Sequence, residues 1–331
     1  MLARGLVAWL LLSTGFVALD AAGMADGLAL PVPLIVALVV ARALEHADWA
    51  RRHPRWLTLA AAVGCLALAI LAWVFRLQWF DLAPSELTAT LLLAGGLIAV
   101  LSAQRTRAVL LRPLGLDAAG PVHVVVAVAL AVTVLASVLL FLALKDEPAT
   151  TIPFYATDSV VSVVSDIALA LAGVGFLLTR DLSAALARLD LRPIRLRQAG
   201  WAVGAAVVFH VMVGLMEWTE SIVLPGLHVL EDRFDYEFVG IPPLVGAALV
   251  SVAAGVGEEI LFRGALQPRL GIVASAALFA VLHVQYQVPG ILMIFVVGLA
   301  LGLLKGVSST TFTVVVHVVY DLGAFLLDFY G

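Results

Sequence analysis

The sequence predicts an all-α polytopic membrane protein, a helical bundle of about 11 transmembrane spans. Of its 331 residues, 63% are hydrophobic and only 13% are charged, whereas a soluble domain has roughly a quarter of its residues charged. The charged residues also cluster between long apolar runs. Most of the protein surface is therefore expected to contact lipid.

The apolar runs give the spans in chain order. A helix needs about 20 apolar residues to cross a hydrocarbon core of about 30 Å. Proline, glycine or charged residues separate the runs, and the boundary between the ninth and tenth spans rests on the short Val288-Pro289-Gly290 turn. The predicted spans are 5–22, 28–44, 56–75, 87–103, 122–144, 158–179, 200–223, 241–262, 271–287, 288–305 and 310–329.

The distribution of basic residues predicts the orientation. All of the 19 Lys and Arg residues except Arg76, Lys145 and Arg233 lie in one set of alternate loops. Because basic residues accumulate in cytoplasmic loops, the N-terminus is predicted to be cytoplasmic. Enrichment in Ala, Leu and Val is typical of a bacterial inner (plasma) membrane protein. Residues 1–23 also fit a cleavable signal peptide, and we favour an uncleaved first helix.

The longest predicted cytoplasmic loop, about 180–199, is rich in arginine and divides the chain. We expect an N-terminal transmembrane bundle of unassigned role at residues 1–180 and a separate C-terminal module at residues 181–331. The single cysteine, Cys65, excludes a disulfide within the chain and a cysteine-based metal site. No phosphate loop, dinucleotide fingerprint or basic nucleic-acid patch is present, so no nucleotide cofactor or nucleic-acid partner is expected.

Three clusters of ionisable residues lie in the C-terminal module, where each costs several kcal/mol unless it is paired or hydrated. The first contains Glu258, Glu259 and Arg263, in the eighth span. Adjacent helical residues point about 100° apart, and Glu259 has the four-residue spacing that pairs it with Arg263. Glu258 is then left facing the bundle interior as a general base or acid. The alternative is a simple charge cluster at a helix end.

The second cluster is His283 in the ninth span, and the third is His317 with Asp321 in the last span. A lone histidine such as His283 is also typical of a structural hydrogen-bonding residue. The four-residue spacing places His317 and Asp321 on one helix face. Asp321 is therefore placed to orient the His317 tautomer, or to help bind whatever His317 binds.

Among the other ionisable residues of the predicted spans, Asp166, His210, Glu217 and Glu220 stand out. The last three lie roughly on one face of the seventh span. An internal hydrogen-bond network or interfacial charge explains them, and a substrate or proton site is the functional alternative.

Together the three clusters resemble the signatures of the CPBP family of intramembrane proteases, which includes the CAAX prenyl endopeptidases. Those signatures are Glu-Glu-x-x-x-Arg, Phe-x-x-x-His and His-x-x-x-Asn or Asp, and all three occur here in that order. Gly298, Gly302 and Gly306 recur at every fourth residue before the last motif, a spacing that lets helices approach closely in lipid. The resemblance covers roughly residues 190–331. Asp321 stands where the prenyl endopeptidases carry Asn, which weakens an assignment to prenylated substrates more than the assignment to proteases.

The resemblance implies an endopeptidase that cleaves a membrane-associated or lipidated protein near its terminus. It implies that Glu258 activates water and that His283 positions the water or the scissile bond. His317 and Asp321 would stabilise the oxyanion or hold a metal. Glu259 and Arg263 would support the site.

The sequence leaves the cofactor and the function class open. Glu258, His283 and His317 can supply a divalent metal such as zinc with three ligands and one open position, but a metal-free reaction fits equally well. A proton-coupled membrane transporter would use the same buried groups as a relay, and an inactive membrane scaffold is a further alternative. The estimated depths of the three motifs below the cytoplasmic face of the membrane favour entry of the substrate from that side.

Overall fold

The computed structural model describes residues 2–25, 27–28, 31–45, 88, 92, 95–96, 98–144, 150–225, 234–283, 286 and 288–330. The predicted span 56–75, Cys65 and seven of the 17 residues of the predicted span 87–103 lie outside these residues.

Helices dominate the described residues. They are α1 (Leu2–Ala21), α2 (Val32–Leu44), α3 (Gln104–Leu111), α4 (Pro121–Leu144), α5 (Ala156–Val174), α6 (Leu182–Arg188), α7 (Leu196–Val223), α8 (Pro243–Glu258), α9 (Gln267–Val281), α10 (Val288–Val307) and α11 (Thr310–Tyr330). A 3₁₀ turn covers Arg112–Leu114, and a π-helical segment, Glu259–Leu266, joins α8 to α9. The strands are β1 (Thr150–Phe154) and β2 (Phe234–Phe238).

Seven helical segments of the described chain are long and apolar enough to cross a membrane: Leu2–Ala21, Pro121–Val138, Ala156–Val174, Leu196–Val223, Pro243–Val281, Val288–Val307 and Thr310–Asp328. The chain is therefore a multi-pass membrane protein. The expected count of about eleven spans is not confirmed. Helix α2 has only 13 residues, and Pro243–Val281 is a run of 39 residues. That run is interrupted at Gly271, where φ is 78° and the backbone leaves the helical conformation.

A small parallel sheet accompanies the helices and was not expected from the sequence. Its register runs from Thr150 opposite Phe234 to Phe154 opposite Phe238. The Phe238 ring contacts those of Phe154 and Phe325, with centroid distances of 5.8 Å and 6.1 Å. These contacts attach the sheet to α11.

The chain forms two compact units, Met1–Val39 with Phe141–Gly331, and Val40–Leu140. The boundary expected at residue 180 stays a prediction, but α1 and α5 are grouped with the C-terminal helices. Helix α5 packs along α8 and the π-helical segment. The Trp9 Nε1 donates a hydrogen bond of 2.9 Å to the Phe176 carbonyl oxygen just after α5. Parts of the N-terminal region therefore support the C-terminal module.

The Val40–Leu140 unit contains a buried arginine, Arg107, which had been counted among the loop charges. Its Nη1 donates to the carbonyl oxygens of Leu101 and Ser102, at 2.8 Å and 2.7 Å. Its Nε donates to the carbonyl oxygen of Ala118 at 3.2 Å. Arg107 therefore joins the residues on either side of α3, and the orientation drawn from the basic loops stays a prediction.

The glycines of α10 allow close packing against α9 at two of the three predicted positions. A Cβ atom on Gly298 would lie 3.2 Å from the Ala276 Cβ, and one on Gly302 would lie 2.7 Å from the Ile272 Cγ2. A Cβ on Gly306 would meet nothing within 4 Å, so the expectation of close packing there is wrong.

Helices α8 and α11 also touch through a glycine. A Cβ on Gly255 would lie 2.6 Å from the Val318 Cγ2 and 2.8 Å from the Val318 backbone nitrogen. Because the backbone of α11 cannot move aside like a flexible side chain, Gly255 fixes the distance between the two helices that carry Glu258 and His317.

We expect Gly255→Ala to lower the free energy of unfolding by about 1–3 kcal/mol, the usual effect of overpacking a well-packed interior. Thermal unfolding in detergent measures this. Gly204→Ala on α7 is the matched control, because a Cβ there meets nothing within 4 Å. Equal melting temperatures for the two variants would contradict the close contact.

Candidate active site

The two adjacent glutamates lie where the helix changes type. Glu258 is the last residue of α8, and Glu259 is the first residue of the π-helical segment. The Gln267 N–H donates to the Phe262 carbonyl oxygen, five residues back. Such segments are rare and are often found at functional sites. The α-helical geometry assumed for this motif therefore holds only up to Glu258.

Glu259 is fully buried and forms the predicted ion pair. Its Oε1 lies 2.8 Å from the Arg263 Nη1, with side-chain exposures of 0% and 1%. The Arg263 guanidinium lies 4.3 Å from the centre of the Phe279 ring, and its Nη2 reaches the Gly298 carbonyl oxygen at 3.5 Å. The pair therefore joins the π-helical segment to α9 and α10.

His317 connects the first motif to the third. Its Nδ1 donates to the Glu259 Oε1 at 3.0 Å, and its Nε2 lies 3.4 Å from the Asp321 Oδ2. The same Nε2 lies 3.9 Å from the Glu258 Oε2. Glu258 keeps 23% of its side chain exposed while Glu259 keeps none. Glu258 is therefore the accessible member of the glutamate pair, as the sequence predicted.

His283 was predicted to lie deep within a helical span, and that prediction is wrong. Helix α9 ends at Val281, so His283 follows the cap residue Leu282. The break between α9 and α10 accordingly precedes Val288 instead of falling at the Val288-Pro289-Gly290 turn. The His283 Nδ1 lies 2.8 Å from the Phe279 carbonyl oxygen. This hydrogen bond fixes the ring at the end of α9.

A cavity of about 430 Å³ brings the four predicted catalytic residues together. Its lining residues are Glu258, His283, His317 and Asp321, with Phe154, Val250, Ala254, Tyr286, Tyr320, Ala324, Phe325 and Asp328. Glu259 and Arg263 lie behind this wall. Neither tyrosine was predicted as a site residue, although Tyr320 follows His317 by three residues and so shares its helix face.

The cavity extends from Glu258 towards β1 and the C-terminal end of α11, where Phe154 and Asp328 line it. In the predicted orientation, this end of α11 faces away from the cytoplasm. The expectation of access from the cytoplasmic side stays a prediction.

The predicted metal ligands do not form a metal site in this arrangement. Across the described parts of the chain, no group of three or more His, Cys, Asp and Glu side chains could hold a metal ion. Glu258, His283 and His317 line one cavity, but they are not found as such a group, whose ligand atoms would lie about 2.0–2.2 Å from a shared zinc ion. In addition, both ring nitrogens of His317 face carboxylates.

Comparison with known proteins agrees with the motifs. Residues 240–323 match the family model described as type II CAAX prenyl endopeptidase Rce1-like. The chain is 27% identical over 159 residues to the uncharacterized protein YpbD of Bacillus subtilis (strain 168), a match that covers 46% of this chain and 79% of that protein. No solved structure matches the chain significantly. The family match spans all three motifs, from Glu258 to Asp321. Residues 240–323 are therefore a Rce1-like domain of the CAAX prenyl endopeptidase family, and the resemblance predicted from the motifs is confirmed.

Proposed function

We propose that this chain is an intramembrane endopeptidase that hydrolyses a peptide bond of a membrane-associated or lipidated protein near its terminus. The observation that carries the proposal is the unequal environment of the two glutamates. Glu259 is neutralised by Arg263, whereas Glu258 faces a cavity that also contains His283, His317 and Asp321. The match to a family of endopeptidases supports hydrolysis as the reaction.

Glu258 acts as the general base in this proposal. Its carboxylate takes a proton from a water molecule while the water oxygen attacks the carbonyl carbon of the scissile peptide bond. The proton is then delivered to the leaving amine as the carbon–nitrogen bond breaks, which regenerates the carboxylate. A carboxylate in this role typically contributes about 10²–10⁴-fold to the rate.

His283 positions the attacking water. Its Nδ1 carries the hydrogen because the Phe279 carbonyl oxygen can only accept. The Nε2 of the neutral ring is then an acceptor, which suits it to orient a water molecule towards the substrate. The His317 Nε2 lies between the Glu258 and Asp321 carboxylates at the wall of the cavity.

The location of the cavity among apolar helices favours a substrate that is itself held in the membrane. Rce1-like proteases act on prenylated, membrane-associated proteins, and a lipid anchor would deliver a chain terminus to this depth. We place the protein in a bacterial inner membrane with a cytoplasmic N-terminus, as the loop charges predict.

We expect Glu258→Gln to abolish cleavage of the natural substrate, because an amide cannot take the proton of the water. Quantitative proteomics of protein termini in membranes of the producing cells measures this, with His283→Ala and His317→Ala examined in parallel. A common set of termini should disappear in all three variants and should also identify the substrate.

Glu237→Gln is the matched control, since Glu237 lies on β2 and does not line the cavity. The set of protein termini detected in membranes with Glu237→Gln should equal the set detected with the wild type. Unchanged termini in stably inserted Glu258→Gln would contradict proteolysis and favour a transporter or an inactive scaffold.

We expect removal of divalent metals to leave the cleavage rate unchanged, because the proposed mechanism routes no step through a metal. The purified protein would be treated with a chelator, its zinc content determined, and cleavage of the identified substrate followed. Loss of cleavage that zinc restores would show that Glu258, His283 and His317 rearrange around a metal.

A further inference from the structure

The small parallel sheet belongs to the wall of the cavity that contains Glu258. Phe154, the last residue of β1, lines this cavity together with Phe325 of α11. The Phe238 ring of β2 packs against both of these rings. A Cβ on Gly246 of α8 would collide with the Phe238 ring, so only glycine lets the ring approach α8 there. The sheet is therefore fixed between α8 and α11, at the edge of the cavity.

The hydrogen bonds between the strands determine which way the backbone groups of β1 point. Phe154 lies opposite Phe238, and its carbonyl oxygen accepts a hydrogen bond of 2.9 Å from the Val239 N–H. The N–H and C=O groups of successive strand residues point to opposite sides of the strand. Because the backbone of Phe154 faces β2, the backbone groups of Thr151 and Pro153 face the outer side of β1.

This outer edge of β1 is open in the described part of the chain. The sheet there has two strands, so no third strand runs along the edge, and Pro153 is exposed. Proline has no N–H and occurs in sheets at edges, where no ladder bond is lost. The edge therefore offers one donor, the Thr151 N–H, and two acceptors, the carbonyl oxygens of Thr151 and Pro153.

These three backbone groups need water or a polypeptide partner. A backbone group without a hydrogen bond is costly in hydrocarbon, so the outer edge of β1 cannot face lipid. An endopeptidase has to hold its substrate extended, because the backbone of a helix is shielded by its own turns. Sheet edges bind extended peptides through main-chain hydrogen bonds. An open edge that ends in the wall of a catalytic cavity meets this requirement.

We propose that the substrate segment beside the scissile bond pairs with the outer edge of β1 as a third strand. This inference rests on the proposed endopeptidase function and specifies how the substrate binds. Two substrate N–H groups, two residues apart, donate to the carbonyl oxygens of Thr151 and Pro153, and a substrate carbonyl oxygen accepts from the Thr151 N–H. Because β1 ends at Phe154, a strand paired with it is directed into the cavity that contains Glu258.

Pro153 limits how much of the edge can be used. A strand edge with all of its donors is open to pairing with any other strand, and proline is one of the residues that block such pairing. With the Thr151 N–H as its one donor, the edge holds a short segment. A short pairing suits a substrate that has to leave after cleavage.

Replacement of single substrate amides by esters tests the proposal, because an ester keeps the backbone shape but has no N–H. The full chain would be placed in liposomes with peptides that span the cleavage site found by terminal proteomics, each with one ester outside the scissile bond. We expect KM to rise about 2–10-fold at two positions separated by one unaffected position, with kcat unchanged. Equal KM values at all positions would overturn the strand pairing.

Thr151→Pro tests the same edge from the side of the protein. It removes the donor but keeps the ladder, because the Thr151 N–H faces away from β2. We expect KM for the all-amide peptide to rise about 2–10-fold. Thr151→Ala is the matched control, since it keeps the N–H, and its KM should equal that of the wild type. A wild-type KM in a folded Thr151→Pro variant would overturn the proposal, and the ester series decides if that variant does not fold.

The two proposals can fail separately. If the ester series shows no alternation while the wild type cleaves and Glu258→Gln does not, the strand pairing is overturned and the protease assignment still holds. If the wild type cleaves nothing, the proposed function and this inference fall together.

Discussion

The buried ion pair between Glu259 and Arg263 is the interaction on which the site depends. Two charges in an apolar interior are tolerated only when they face each other, and removing one partner of such a pair typically costs about 3–5 kcal/mol. The pair engages the Glu259 Oε1, and the same oxygen is a fixed acceptor for the Nδ1 hydrogen of His317. As a result, Glu258 is the one member of the glutamate pair that can face the cavity and act on a substrate.

The rest of the C-terminal module keeps this arrangement in place. Gly255 brings α8 against α11, so that Glu258 and His317 lie within 3.9 Å of each other. The π-helical segment widens the turn that carries Arg263, and Gly298 lets α10 approach the same guanidinium. Helix α7 precedes the family match at residues 240–323, and it contributes Phe209 and His210, whose rings pack against Tyr320. The site is therefore built from more of the chain than its three motifs.

Residue spacing in the sequence predicted the contacts that form within a single helix. The four-residue spacing was enough to pair Glu259 with Arg263 and to place His317 beside Asp321, since both pairs lie within one turn of a helix. The sequence could not reveal which carboxylate His317 binds, because that contact joins residues far apart in the chain. Tertiary packing also determines three features that the sequence did not predict. These are the end of α9 before His283, the small parallel sheet, and the position of Tyr320 in the cavity wall. Apolar composition likewise predicted a multi-pass protein but did not determine the number of spans.

The central claim is that Glu259 is structural and Glu258 is catalytic, and one paired measurement tests it most directly. Glu258→Gln and Glu259→Gln would be compared for thermal unfolding in detergent and for cleavage of the substrate in the same preparation. We predict that Glu258→Gln melts like the wild type and is inactive, whereas Glu259→Gln loses about 3–5 kcal/mol of stability because Arg263 is left buried without its partner. A Glu259→Gln variant with wild-type stability, or a Glu258→Gln variant that still cleaves, would contradict the account.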